Sequence, residues 1–376
     1  MPPIPDTMQP AEAIGRRSKK TARAGRARSD HATAPMPDAA AARLVRHITA
    51  GWRCQALHAA VQLGVAEALA LQPRAAADLA TALGLQADAL GRLLRGLCTL
   101  GVCRERVDGC FILTRVGHRL CAAPATGQAS LRDLVRWWGG PLWPMWAELA
   151  YSVRTGASAR EKLTGDAGYA HLDRHGEVSA IFHGAQQAMT DLVLDELARW
   201  PGWLAVRHLV DVGGGHGQVA LAVAGAHPDL NATIIDLPHA QAGACAQLDA
   251  AGLGARCRFR AGSFFDALPG GADVYLLKSI LHNWDDAHCA AILARCAAAA
   301  STGAHLLIVE RVRPPRLRAG ARDEGVARTD LNMLAGLGGR ERTAAQYAAL
   351  LRDAGFAITG QWAMGFEFSV LQAERV

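Results

Sequence analysis

The stretch Leu209–Pro228, LVDVGGGHGQVALAVAGAHP, decides the fold. Its first residues, apolar except for Asp211, read as a strand. The glycines at 213, 214, 215 and 217 read as a turn, and the Ala- and Val-rich remainder as a helix. Glycines gather where the backbone turns with positive φ or where a ligand comes close to it. Three ligands compete for this turn. A phosphate loop needs G-x-x-x-x-G-K-[ST], and the lysine is missing. A dinucleotide fingerprint needs G-x-G-x-x-G; Gly213 and Gly215 fit, but the third position is Gln218 and Gly217 stands one place early. Asp211 tips the balance, because a carboxylate at the edge of the turn opposes an anion and favours a cation.

Working outward, the runs HLVDVGG, NATIIDLP, CRFRAGSFF, ADVYLLKSIL and HLLIVERV alternate with Ala-rich helical stretches. That alternation predicts a parallel sheet covered on both faces, so residues 206–376 are expected to form a Rossmann-like, doubly wound α/β domain. A last helix and a strand pair complete it. Ligands of such sheets bind beyond the carboxyl ends of the strands. The second run ends there in Asp236, an acid placed to accept from both hydroxyls of a ribose. A nucleoside with positive charge near its 5′ end describes S-adenosylmethionine.

Upstream, residues 41–125 read as helix, turn at Gly84, longer helix from Asp88, and a hairpin around Asp108-Gly109: a mainly helical, winged-helix-like domain. A DNA-reading helix should offer several polar side chains to base edges. The second helix offers only Arg92 and Arg95 among Ala, Leu and Gly, which suits packing against another chain better than nucleic acid. Residues 126–205 read as a helical connector rich in tryptophan (137, 138, 143 and 146), either core or the wall of an apolar substrate pocket. Residues 1–40 carry seven Arg and Lys between Arg16 and Arg28 and read as a disordered basic arm.

The 376 residues are 51% hydrophobic and 20% charged, an ordinary globular composition. No run of about 18 apolar residues predicts a membrane span. The start lacks the apolar core of a secretory signal, so a cytoplasmic protein is expected. The nine cysteines contain no C-x-x-C pair and are expected to be buried, reduced thiols, with no metal site.

LVDVGGGHG, IIDLP, GSFF, LLKSILHNWDD, LLIVERV and GGRERT occur in the order and approximate spacing of the S-adenosylmethionine-dependent O-methyltransferases of the caffeic-acid and hydroxyneurosporene type. The chain resembles that family over residues 41–376. The resemblance implies a front domain that forms a homodimer and a small-molecule hydroxyl as methyl acceptor. It implies that Gly213 and Gly215 line the methionine part of the cofactor and that Asp236, with Leu237 beside it, holds the ribose. Ser263 and Phe264 would flank the adenine, and Lys278 would meet the methionine portion. The family usually has an acid at the position of Ser263; a serine still accepts a hydrogen bond there, but without charge.

The same resemblance makes His282 the general base, with Glu310 and Glu341 behind it. The chemistry supports this assignment. A phenol is ionised in only about one molecule in a thousand at neutral pH, and a neutral imidazole is the natural group to take its proton. A carboxylate behind the ring sets its tautomer and stabilises its charged form. Asp285 and Asp286 read instead as the start of the next helix. Phe182, Gln186, Trp143, Asn332 and Met333 are expected to face the acceptor. The expected reaction is methylation of an aromatic or polyketide-like hydroxyl in secondary metabolism. The rivals are a relative diverged to decarboxylation or hydroxylation, a winged-helix DNA-binding regulator, and a nicotinamide dehydrogenase.

Overall fold

The structure, a computed structural model, describes residues 38–124 and 128–376. Most of the basic arm lies outside the described residues, although Ala39 and Ala40, assigned to it above, already belong to the helix Ala39–Thr49. That helix buries no residue and leaves Leu44, Val45 and Ile48 exposed.

From Ala50 onward, four helices (Gly51–Gln62, Val65–Leu71, Ala76–Leu83, Ala87–Thr99) accompany a small sheet. Its strands are β1 (Arg74–Ala75), β2 (Cys103–Glu105) and β3 (Cys110–Leu113), in the order β1-β3-β2. The expected turn is present: Gly84 adopts φ +67° after the third of these helices. Leu79, Leu94, Leu97 and Phe111 close the core of this winged-helix unit.

The C-terminal runs form one sheet of seven strands: β4 (His208–Val212), β5 (Asn231–Asp236), β6 (Cys257–Ala261), β7 (Val274–Lys278), β8 (His305–Glu310), β9 (Phe356–Ala363) and β10 (Ser369–Arg375). Their order is β6-β5-β4-β7-β8-β10-β9, parallel from β6 to β8, with β10 antiparallel to both β8 and β9. The order reverses between β4 and β7, and the crevice at that switch point is where such a sheet takes its ligand. Side chains alternate across the sheet. Leu209, Val274, Leu276, Leu307 and Val309 build the core on one face; Val210, Val212, Tyr275, Leu277 and Ile308 build it on the other. By the same alternation Asp211 and Lys278 fall on the first face and Glu310 on the second.

Two expectations need correction. The nine cysteines are all free, but Cys245 is exposed and Cys54, Cys98 and Cys110 are only half-buried. Small apolar residues on an amphipathic helix need not lie on its inner side, and composition does not say which side they take. The tryptophans also divide. Trp138 stacks on Trp146 (5.9 Å, 26°) and Trp137 meets Phe182 edge-on (5.3 Å, 67°), whereas Trp143 is 41% exposed. The short helix Leu142–Ala147 turns Leu142 and Met145 into the core, which leaves Trp143 on its outer side. Among the described residues no single helix is long and apolar enough to cross a membrane.

Candidate active site

A cavity of about 350 Å³ opens at the carboxyl ends of β4, β5 and β7. Ten of the residues singled out from the sequence line it: Phe182, Gln186, Asp211, Gly213, Gly215, Asp236, Leu237, Ser263, Phe264 and Lys278. The glycine turn shapes its floor. Gly213 adopts φ +72°, and a Cβ there would run into the Ile280 side chain on the opposite wall. Only glycine satisfies both conditions.

Asp236 accepts from the backbone N–H of Gly215 and of Leu237, one carboxylate oxygen each, both at 2.7 Å. Each oxygen keeps a second lone pair for a ligand hydroxyl. Burial and the neighbouring Asp236 push Asp211 up to about 7, against the pull of Lys278. Lys278 in turn is drawn down to about 8, by burial and then by Arg311. The Ser263 hydroxyl accepts from the N–H of Phe265 at 3.1 Å, which leaves it one lone pair and its proton.

Three histidines that the sequence reading passed over also line this cavity. His183 Nε2 lies 3.0 Å from His239 Nδ1, and the His183 ring stacks on His216 (4.5 Å, 22°). Burial, with the two neighbouring rings, takes His183 down to about 3, so it stays neutral. His216 stands inside the glycine turn and His239 just past Asp236, so their positions in the sequence were a usable signal. His183 comes from a distant helix, Gly176–Asp191, and had none.

Does this wall suit S-adenosylmethionine? Asp211 Oδ2, Gln218 Nε2, His239 Nε2 and Trp284 Nε1 are all buried without a partner among the described residues, and all belong to lining residues. A purely apolar ligand would leave them unsatisfied, at a cost of about 1–3 kcal/mol each. A zwitterionic nucleoside carries the matching donors and acceptors, and the buried Asp211 suits its cation. The residues fit.

His282 does not line the cavity; its neighbours Ile280, Asn283 and Trp284 do. It lies in a 3-10 turn, Leu281–Asn283, just past β7. Its Nδ1 is 3.0 Å from Glu341 Oε1 and 3.4 Å from Glu310 Oε2, and all three side chains are buried. The resemblance implies similar parts for Glu310 and Glu341, but the structure sets Glu341 nearer the ring. Glu310 spends its other oxygen on the N–H groups of Ile280 (2.9 Å) and His282 (3.3 Å), so it also shapes the turn. Burial works against a charged His282, yet the two glutamates outweigh it and hold its pKa above the ordinary value. Burial likewise raises Glu310. With Nδ1 held by carboxylates, Nε2 is the ring nitrogen free to take a proton.

Asn332 and Met333, on the helix Ala321–Gly336, and the outward-turned Trp143 are not brought to the cavity. Asn332 Oδ1 is nevertheless buried without a partner. Asp285 caps the helix Asp286–Ala299 by accepting from the His288 N–H at 2.9 Å. Two clusters among the described residues bring three metal-binding groups within 4.8 Å: His282, Glu310 and Glu341, and Asp166, His171 and His175. In the second, Arg174 already sits on Asp166.

Residues 146–357 match the model of an O-methyltransferase domain, and residues 45–123 that of an O-methyltransferase dimerisation domain. The chain is 37% identical over 305 residues to O-demethylpuromycin-O-methyltransferase of Streptomyces alboniger, covering 81% of this chain and 80% of the relative. It is 37% identical over 304 residues to 2,7-dihydroxy-5-methyl-1-naphthoate 7-O-methyltransferase of Streptomyces carzinostaticus, covering 81% and 89%. Among solved structures, it resembles an O-methyltransferase from neocarzinostatin biosynthesis in complex with S-adenosylmethionine and 2-hydroxy-5-methyl naphthoic acid. The TM-score is 0.71 at 34% identity, over 86% of this chain and 96% of that one.

Proposed function

The chain belongs to the O-methyltransferase family, an S-adenosylmethionine-dependent one, and on that premise we propose that it methylates a hydroxyl of an aromatic or polyketide-like small molecule in secondary metabolism, with His282 as general base. The observation that carries this reading is the buried His282–Glu341 pair at 3.0 Å, beside a cavity whose polar wall suits the cofactor. When bound, S-adenosylmethionine supplies an electrophilic methyl group on a cationic sulfur.

The chain's own residues do the rest. Asp236 holds the ribose hydroxyls, and Ser263 and Phe264 border the base. Asp211, Gly213, Gly215, Leu237 and Lys278 enclose the remainder. His282 Nε2 takes the acceptor proton as the oxygen becomes nucleophilic, and Glu341 and Glu310 stabilise the imidazolium that results. General-base assistance of this kind contributes about 10²- to 10⁴-fold. Phe182 and Gln186 border the acceptor, whereas Asn332, whose Oδ1 is buried without a partner among the described residues, lies outside that cavity.

The His282→Ala variant is expected to bind S-adenosylmethionine calorimetrically like the wild type while turnover falls at least about a hundredfold. Undiminished turnover would remove His282 from the mechanism. A product heavier than its substrate by one CH₂ distinguishes methyl transfer from decarboxylation or hydroxylation. The active form is a homodimer in this reading, supported by the match to a dimerisation domain and by the exposed Leu44, Val45 and Ile48.

A further inference from the structure

A general base needs its ring held, and the carbonyl groups of its turn need partners. One short segment, Arg340-Glu341-Arg342, meets both needs. The Arg340 N–H donates to the His282 carbonyl (2.8 Å). Glu341 holds Nδ1 (3.0 Å). Arg342 Nη1 donates to the Leu281 carbonyl (2.9 Å) and Nη2 to that of Trp284 (2.7 Å). Residues 281, 282 and 284 are thus all gripped from one side. Arg342 is wholly buried, and Asp286 holds its guanidinium through both Nε (2.9 Å) and Nη2 (2.7 Å). Among the described residues the only other side chain on these two carbonyls is the Cys289 thiol, a weak donor at 3.2 and 3.7 Å.

Close approach completes the clip. A Cβ at Gly339 would overlap the His282 carbonyl, so the segment lies directly against the turn. Just before the turn, Ser279 adopts φ +55°, a conformation that serine rarely takes and that its surroundings must impose. The acceptors that Arg342 fills belong to the residues on either side of His282. A planar guanidinium presents its donors in a fixed fork that spans two such carbonyls and a carboxylate; an ammonium, a single point with three donors, covers them less well.

We propose that Arg342, oriented by Asp286, is a positioning residue for the general base: by bridging the Leu281 and Trp284 carbonyls it sets the His282 ring against Glu341. The role rests on His282 being the base. Displacing a catalytic group by about 1 Å can cost on the order of a hundredfold in rate.

The test uses the full chain and three variants: Arg342→Met, Arg342→Lys and Asp286→Ala. Asp286 is 62% exposed, so the last variant keeps the core intact if Arg342→Met fails to fold. Arg342→Met is expected to lower kcat by about a hundredfold, with cofactor affinity unchanged and the acid limb of the kcat–pH profile moved to lower pH. Arg342→Lys should recover part of the loss, and Asp286→Ala should lower kcat by several-fold in the same direction. NMR titration of the His282 ring supplies a readout independent of turnover, and its pKa should fall in all three. Folded variants with wild-type kcat and an unmoved His282 titration overturn the proposal. Full turnover in the His282→Ala variant described above overturns the base assignment instead, and the ring titration still reports whether Arg342 sets the ring.

Discussion

Replacing Glu341 with glutamine removes one negative charge 3.0 Å from the His282 ring and changes little else in shape. An opposite charge at this range raises an imidazole pKa by about 1–3 units, worth roughly 1.4–4 kcal/mol. Glu310 remains at 3.4 Å and keeps part of that effect, so the low end of the range applies. The His282 pKa should fall by about one unit, and the imidazolium formed as the acceptor loses its proton should be less stable by a similar energy. Turnover measured with methyl-labelled cofactor from about pH 5.5 to 9 should show kcat reduced about tenfold and its acid limb displaced downward by about one unit. Thermal stability supplies an independent sign. A raised folded-state pKa stabilises the protein fully below the unfolded value, and that contribution is lost as pH rises through the folded one. The variant should therefore lose more stability at about pH 6, below the unfolded imidazole value, than at roughly pH 8.5. An acid limb in its original place, with kcat within about twofold of wild type, would refute the reasoning.

Other consequences follow from the same site. Asp211, pushed up to about 7, should ionise as a cationic ligand arrives, so S-adenosylmethionine binding should release protons near neutral pH and tighten as pH rises through that value. Calorimetry in buffers of different ionisation enthalpy reads this directly, and Asp211→Asn should abolish it. Gly339→Ala would force a methyl group into the His282 carbonyl, and a loss of kcat far exceeding any loss of cofactor affinity is expected in steady-state and binding assays. Ile48→Glu, on an exposed helix face, should leave the fold's melting temperature nearly unchanged while shifting sedimentation from dimer to monomer.

Much of this molecule was legible because its signals are local. A glycine turn between a buried strand and a small-residue helix, an acid at the next strand's end, and alternating apolar runs follow from backbone sterics and side-chain period within a few residues. They led to the sheet, to the crevice at its switch point and to Asp211, Gly213, Gly215 and Asp236 in its lining, and the family resemblance added the other six. The family resemblance, with the chemistry of an imidazole base, marked His282, Glu310 and Glu341. Three-dimensional packing decided the rest. Whether Glu310 or Glu341 stands closer to the ring depends on how β8 and the segment before the helix Ala344–Asp353 meet the turn after β7. His183 joins His216 and His239 only because the helix Gly176–Asp191 lies across the crevice. Trp143 faces outward because Leu142 and Met145 take the inner side of a helix only six residues long, too short for periodicity to assign a face. Arg342 stands in a charged motif, GGRERT, yet it is wholly buried. Its partners lie some sixty residues upstream, and no local pattern announces carbonyl groups that need a donor.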